Sequence, residues 1–277
     1  MTADPRLLSA FLRQVAELGG PDLYLEDRTV RELRSLLADP KAHDRSADQP
    51  RRRGTSTGAG EAPATERAQT LPRPTKTMAA QAPVPSAATP ETLQTLKALE
   101  EAVAVCTSCR LHATRTRAVF GEGHPNADLA IVGEAPGRDE DRTGRPFVGR
   151  AGKLLDLLLM TAGFPRENVY ICNVLKSRPP DNRNPLPDEM EICASHYLHA
   201  QLAAVAPRVI VTVGRFAVQA LLDTDAAIGR LRGRIHTYRE TPVIASYHPA
   251  YLLRSPNMVV TAWEDLQLAR TILDEQS

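Results

Sequence analysis

Hydrophobic positions along this chain repeat at two periods, and the change of period divides it into segments. Leu7, Leu8, Phe11, Leu12, Val15 and Leu18 recur at helical spacing after the start signal Asp4-Pro5 and stop at Gly19-Gly20. Val30, Leu33, Leu36 and Leu37 mark a second short helix. From about residue 91 the pattern becomes short apolar runs separated by amphipathic stretches. Strands are expected at Leu129–Val132, Val169–Asn173, Val209–Val213 and Val243–Ser246, and helices at Ala151–Ala162, Pro187–Val205, Arg215–Leu222 and Ala262–Leu273. Strands alternating with helices predict an α/β fold: a central, mostly parallel four-stranded sheet with helices on both faces, in three layers.

Three segments follow. Residues 1–38 form a short helical segment with too small an apolar face to be stable alone, so it is expected to pair with itself, the main domain or another protein. Residues 39–90 hold eight prolines, eight Lys/Arg against five Asp/Glu, and almost nothing large and apolar, the composition of a disordered linker. Residues 91–277 make the folded domain.

Composition narrows the class. The chain of 277 residues is 42% hydrophobic, 24% charged and 4% aromatic, and it contains no apolar run long enough to span a bilayer and no N-terminal secretory pattern. A cytoplasmic location without membrane attachment is the expectation. The net charge of +1 gives no bulk attraction to nucleic acid, so any such contact must come from local clusters.

In a reducing compartment the four cysteines point to metal binding before disulfides. Cys106 and Cys109 form a C-x-x-C directly after an amphipathic helix carrying Leu93, Leu96, Leu99 and Val103. Two thiolates at that spacing can grip one soft metal centre from a single turn. Cys193 falls in a helix and Cys172 in a strand. Four thiolates suit zinc or a [4Fe-4S] cluster equally, and at Cys172 a buried, inert thiol is the plainer reading.

The polar groups at strand ends form a second constellation. Glu134 and Ala135 follow the first strand within Gly133-Glu134-Ala135-Pro136-Gly137, Asn173 ends the second, and His248 follows the fourth. In a parallel sheet these ends open into one crevice, where ligands of α/β proteins bind. An amide such as that of Asn173 offers both a donor and an acceptor to a base edge.

Read in order, these motifs are similar to those of the family-4, iron-sulfur-containing uracil-DNA glycosylases. The resemblance rests on Cys106-x-x-Cys109-Arg110-Leu111, Phe120-Gly121-Glu122-Gly123, Gly133-Glu134-Ala135-Pro136-Gly137 with Glu140-Asp141, and Gly144-Arg145-Pro146-Phe147-Val148-Gly149. It continues through Asn173, Arg178-Pro179-Pro180-x-Asn182-Arg183, Cys193, Arg232-Gly233 and His248-Pro249-Ala250-Tyr251-Leu252-Leu253. It implies a uracil-DNA glycosylase-like fold and hydrolysis of the N-glycosidic bond of uracil in single- or double-stranded DNA, initiating base excision repair.

By position in the motifs, Phe147 would stack on the flipped base, Asn173 would read its N3 and O4 edge, and Ala135 would approach through its backbone N–H. His248 would stabilise charge on O2. Glu134 and Glu140 are both candidates for orienting the water, with Glu140 the better placed to shape the pocket near C5. Asn182 would support the pocket or the backbone. Lys176, Arg178, Arg183 and Arg254 would meet phosphates, and Tyr251, Leu252 and Leu253 would wedge into the minor groove.

The family cysteine of Lys-Cys-Arg-Pro-Pro is serine here, Ser177. The implied [4Fe-4S] cluster would then use Cys106, Cys109, Cys193 and Cys172, with a three-cysteine or lost cluster as the alternative. Two rival readings remain. Arg232-Gly233-Arg234-Ile235-His236 superficially resembles the histidine insert of relatives that capture uracil-DNA covalently, though it stands much later in the chain. An adaptor whose N-terminal helices recruit a repair or replication partner is the other.

Overall fold

The structure is a computed structural model that describes residues 85–276. The two expected N-terminal helices and nearly all of the expected linker lie outside the described residues. The described fold begins slightly earlier than expected. Pro85 is buried, and the side-chain amide of Asn126 donates to the Ser86 carbonyl and hydroxyl at 3.3 and 2.7 Å.

In chain order the elements are α1 (Pro90–Val105), β1 (Glu122–Gly123), β2 (Leu129–Gly133), α2 (Arg138–Thr143), α3 (Arg150–Thr161), β3 (Tyr170–Asn173), α4 (Pro187–Cys193) and α5 (His199–Val205). They continue as β4 (Val209–Val213), α6 (Arg215–Leu222), α7 (Ile228–Leu231), β5 (Ile235–Tyr238), β6 (Thr241–Ser246), α8 (Pro249–Leu252) and α9 (Val259–Glu275). The four expected strands are the parallel core β3-β2-β4-β6. Two further strands, β1 and β5, add antiparallel edges to give six.

Every residue of β2, β3 and β4 is buried, as strands covered on both faces must be. Alternation splits their side chains into two cores. Ala130, Val132, Tyr170, Cys172 and Ile210 pack with residues of α1, α5 and α6 on one face. Leu129, Ile131, Ile171, Val211 and Ile244 pack with residues of α3, α8 and α9 on the other. Among the described residues no helix is long and apolar enough to cross a membrane.

The helix expected over Pro187–Val205 is present but is interrupted by one π-helical stretch, Ala194–Leu198, immediately after Cys193. Such bulges cluster at functional positions. The parallel register sets Gly133 beside Asn173 and Val213 beside Ser246, so the carboxyl ends of the central strands finish level along one edge. That edge is the crevice.

Candidate active site

Gly133 is the point where the site closes. A Cβ built there would lie 2.3 Å from Asn173 Oδ1 and 2.6 Å from the Phe147 ring, so only glycine lets amide and ring come this close. Asn173 is 2% exposed, and its Oδ1 is buried without a hydrogen-bond partner. An unpaired buried acceptor costs about 1–3 kcal/mol, and a ligand N–H placed there recovers it. Phe147, 6% exposed, is held in the left-handed region at φ 50°. The Glu140 carboxylate accepts from Val148 N and Gly149 N, both at 2.9 Å, and from Gly137 N at 3.1 Å. From behind, Arg166 donates to the carbonyls of Pro146 at 2.7 Å and Phe147 at 3.4 Å while pairing with Glu122 and Asp156.

Across the crevice stands His248, its ring centroid 5.8 Å from that of Phe147. Burial, with help from Arg254, pushes its pKa down to about 4, so the imidazole is neutral near pH 7. Its Nδ1 accepts from Ala250 N at 3.1 Å, which places the ring proton on Nε2. The histidine is thus a neutral donor with a fixed tautomer.

Glu134 follows β2 directly. Burial pushes its carboxyl up to about 7, with Arg215 pulling in the opposite direction. The two candidate carboxylates therefore differ in kind. Glu140 has its oxygens committed to three backbone N–H groups, whereas no described residue hydrogen-bonds the Glu134 carboxylate and its pKa suits a general base. Arg215, at the start of α6 and exposed, was missed by the sequence reading, although its place directly after β4 and Gly214 is the strand-end signal that found Asn173 and His248. Arg166 gave no such signal, because it precedes the strand ending in Asn173 and belongs to none of the motifs.

The expected DNA contacts divide. Arg254 and Tyr251 are exposed, Leu253 is half-buried, and Arg178 bonds Asn182 Oδ1 at 2.7 Å through Nε on an accessible loop. Lys176 does not face solvent. It is 2% exposed and its Nζ donates to the Asn173 carbonyl at 2.7 Å, so it braces Asn173 from within instead of facing a phosphate from the surface. Arg183 forms two hydrogen bonds to the buried Glu189, at 2.9 and 2.6 Å, which neutralises the charge expected to meet DNA. Leu252 is 1% exposed in the core and anchors α8, leaving its neighbours to form any wedge. His236 lies on the edge strand β5, its Nε2 bonded to the Leu231 carbonyl at 2.8 Å, away from the strand ends.

Residues 120–267 match the uracil DNA glycosylase superfamily. A type-4 uracil-DNA glycosylase of Thermotoga maritima is 43% identical over 185 residues, 65% of this chain and 96% of that protein. The chain belongs to the type-4 uracil-DNA glycosylase family. A type-4 enzyme of Archaeoglobus fulgidus is 46% identical over 60% of this chain and 87% of its own length. A type-5 uracil-DNA glycosylase of Thermus thermophilus is 35% identical over 48% of this chain and 68% of its own length.

Membership of the type-4 family implies an iron-sulfur cluster, and the cysteines can be tested for it. Among the described residues no three His, Cys, Asp or Glu side chains close on a single ion. Cys106, Cys109 and Cys193 nonetheless border one space. Cys193 feels the charges of Cys109 and Cys106, and all three pack on the same core. Soft thiolates of this kind suit an iron-sulfur cluster. Cys172, fully buried in β3, belongs to that same core, but the charge acting on it is that of the buried Lys176 and not that of the other three cysteines.

Proposed function

We propose that this type-4 uracil-DNA glycosylase flips uracil out of DNA into the crevice and hydrolyses its N-glycosidic bond, opening base excision repair. The observation that carries the reading is the unpartnered, buried Asn173 Oδ1 set against the Phe147 ring. Uracil N3–H meets that acceptor and O4 takes the amide N–H₂, a pattern cytosine reverses. Phe147 stacks on the base, and the Ala135 backbone N–H lies beside it.

As the C1′–N1 bond breaks, its electron pair passes into the uracil ring and charge builds on O2. The Nε2–H of neutral His248 stabilises that charge without having to give up a full proton. Glu134 takes a proton from water as its oxygen bonds to C1′ and stabilises the cationic sugar. Glu140 shapes the pocket by holding the Phe147 turn, on the C5 side where thymine's methyl is excluded. Arg178, Arg215 and Arg254 meet phosphates, Asn182 supports the backbone through Arg178, and Tyr251 with Leu253 occupies the space left in the stack.

A [4Fe-4S] cluster on Cys106, Cys109 and Cys193, when bound, would supply a structural tie between the end of α1 and α4. The N-terminal segment is read as a site for a protein partner, and the enzyme as a soluble one working on DNA in the cytoplasm. The test uses a labelled oligonucleotide with one uracil, in single and double strands, followed by alkali. Strand breakage at uracil and none at thymine or cytosine is expected. A stable protein–DNA adduct without breakage would replace the enzyme with a capture protein.

A further inference from the structure

We infer that the Ser177 hydroxyl is the fourth ligand of the cluster, completing Cys106, Cys109 and Cys193, and that Cys172 takes no part. The inference rests on the type-4 reading above for the existence of a cluster, and on this chain's own contacts for its ligands.

Four independent contacts draw these groups together. Lys176 N–H donates to Cys193 Sγ at 3.3 Å, which fixes the backbone next to Ser177 against that sulfur. Arg115 spans the gap to the C-x-x-C segment, with Nη1 donating to Ser177 Oγ at 3.0 Å and Nη2 to the Ala104 carbonyl at 2.9 Å, two residues before Cys106. Arg110, next to Cys109, pairs with Asp188 on α4, one helical turn before Cys193. Tyr197, one turn after Cys193, reaches back to the Ala102 carbonyl at 3.5 Å. Ser177 is thus a buried hydroxyl, 5% exposed, tied by these contacts to the segments that carry the three thiols.

Cys172 has different surroundings. It is fully buried, and a Cβ at Gly121 would touch its own Cβ at 3.0 Å and the Gln201 amide at 3.3 Å. The buried Lys176 side chain, bonded to the Asn173 carbonyl, lies close enough to both Cys172 and Cys193 to feel their charge. Cys172 in β3 is paired with Val132 of β2, so moving its sulfur toward the cluster would disturb its packing on Gly121.

The chemistry of ligation balances simply. The serine Oγ–H proton leaves to solvent as the Fe–O bond forms, and no electron is transferred. The Arg115 guanidinium, already on Oγ, compensates the new negative charge and orients the ligand, as outer-sphere hydrogen bonds do at metal sites.

The test is made on the full chain purified without oxygen, by iron and sulfide content, absorption and electron paramagnetic resonance, with uracil excision followed separately. Wild type and Cys172→Ala are expected to hold about four irons with identical spectra, and Ser177→Ala to fall to about three with the resonance of an oxidised three-iron cluster. Ser177→Cys should keep four irons with an altered resonance of the reduced cluster. Loss of iron in Cys172→Ala, or an unchanged cluster in Ser177→Ala, would overturn the assignment. So would a wild type that excises uracil without iron, an outcome that leaves the proposed activity intact.

Discussion

Arg166 donates a hydrogen bond to the carbonyl of Phe147, a residue held at a positive φ in the turn that presents its ring to the crevice. The guanidinium also binds the Pro146 carbonyl at 2.7 Å and is itself locked by Glu122 at 2.6 Å and by Asp156. A planar fork with five donors can serve all these acceptors together, and an ammonium cannot.

Arg166→Lys should therefore retain charge yet loosen the Phe147 turn. We expect kcat/KM for uracil DNA to drop by about tenfold, mostly through KM, with a lower Tm. Single-turnover kinetics at saturating enzyme separates the two parameters, and an unchanged KM would show that the turn holds its shape without the fork.

Removing the edge contact should cost more. Asn173→Ala is expected to lower turnover by at least about tenfold, since its buried Oδ1 has no protein partner and is the acceptor that the proposed mechanism gives to the flipped base. Gly133→Ala should match it while leaving Asn173 in place, because the added Cβ would fall 2.3 Å from Oδ1. Normal activity in Gly133→Ala would mean that the amide and the ring do not meet at this point during catalysis.

The pH profile distinguishes the two carboxylates. With the Glu134 carboxyl raised to about 7 by burial, the active ionised form accumulates as pH rises through that value, so the rate should climb between about pH 6 and 8. Glu134→Gln should be slow and flat over that range. His248, neutral down to about 4, should add no second limb above pH 5. The stability signs follow. Glu134, raised on folding, lowers stability as pH climbs from its ordinary range through about 7, and His248, depressed on folding, lowers it as pH falls from about 6.5 through 4. Urea titrations of wild type and Glu134→Gln across pH 5 to 8 measure the first effect.

Buried and exposed cations should part in a salt titration of DNA binding. Arg254→Gln and Arg215→Gln should each weaken affinity for any sequence and reduce the slope of log affinity against log salt by about 1. Lys176→Ala should leave that slope unaltered and instead lower Tm, because its ammonium holds the Asn173 carbonyl inside the protein. A reduced slope in Lys176→Ala would return that residue to the DNA interface.

The sequence alone determined the α/β class, the four parallel strands and the placing of Glu134, Asn173 and His248 at strand ends. Continuous apolar runs and helical periodicity depend on local spacing, and a parallel sheet then leaves the strand ends no choice of side. Tertiary structure decided the rest. The edge strands β1 and β5, of two and four residues, carry no apolar run of their own and exist through pairing with β3 and β6. Lys176 and Arg183 read as surface cations because their chemistry permits it, but a long side chain turns inward when a buried acceptor, the Asn173 carbonyl or Glu189, awaits it. Glu134 and Glu140 are alike in sequence and were separated only by which of them the folded backbone surrounds with N–H groups and which it leaves desolvated and unpaired.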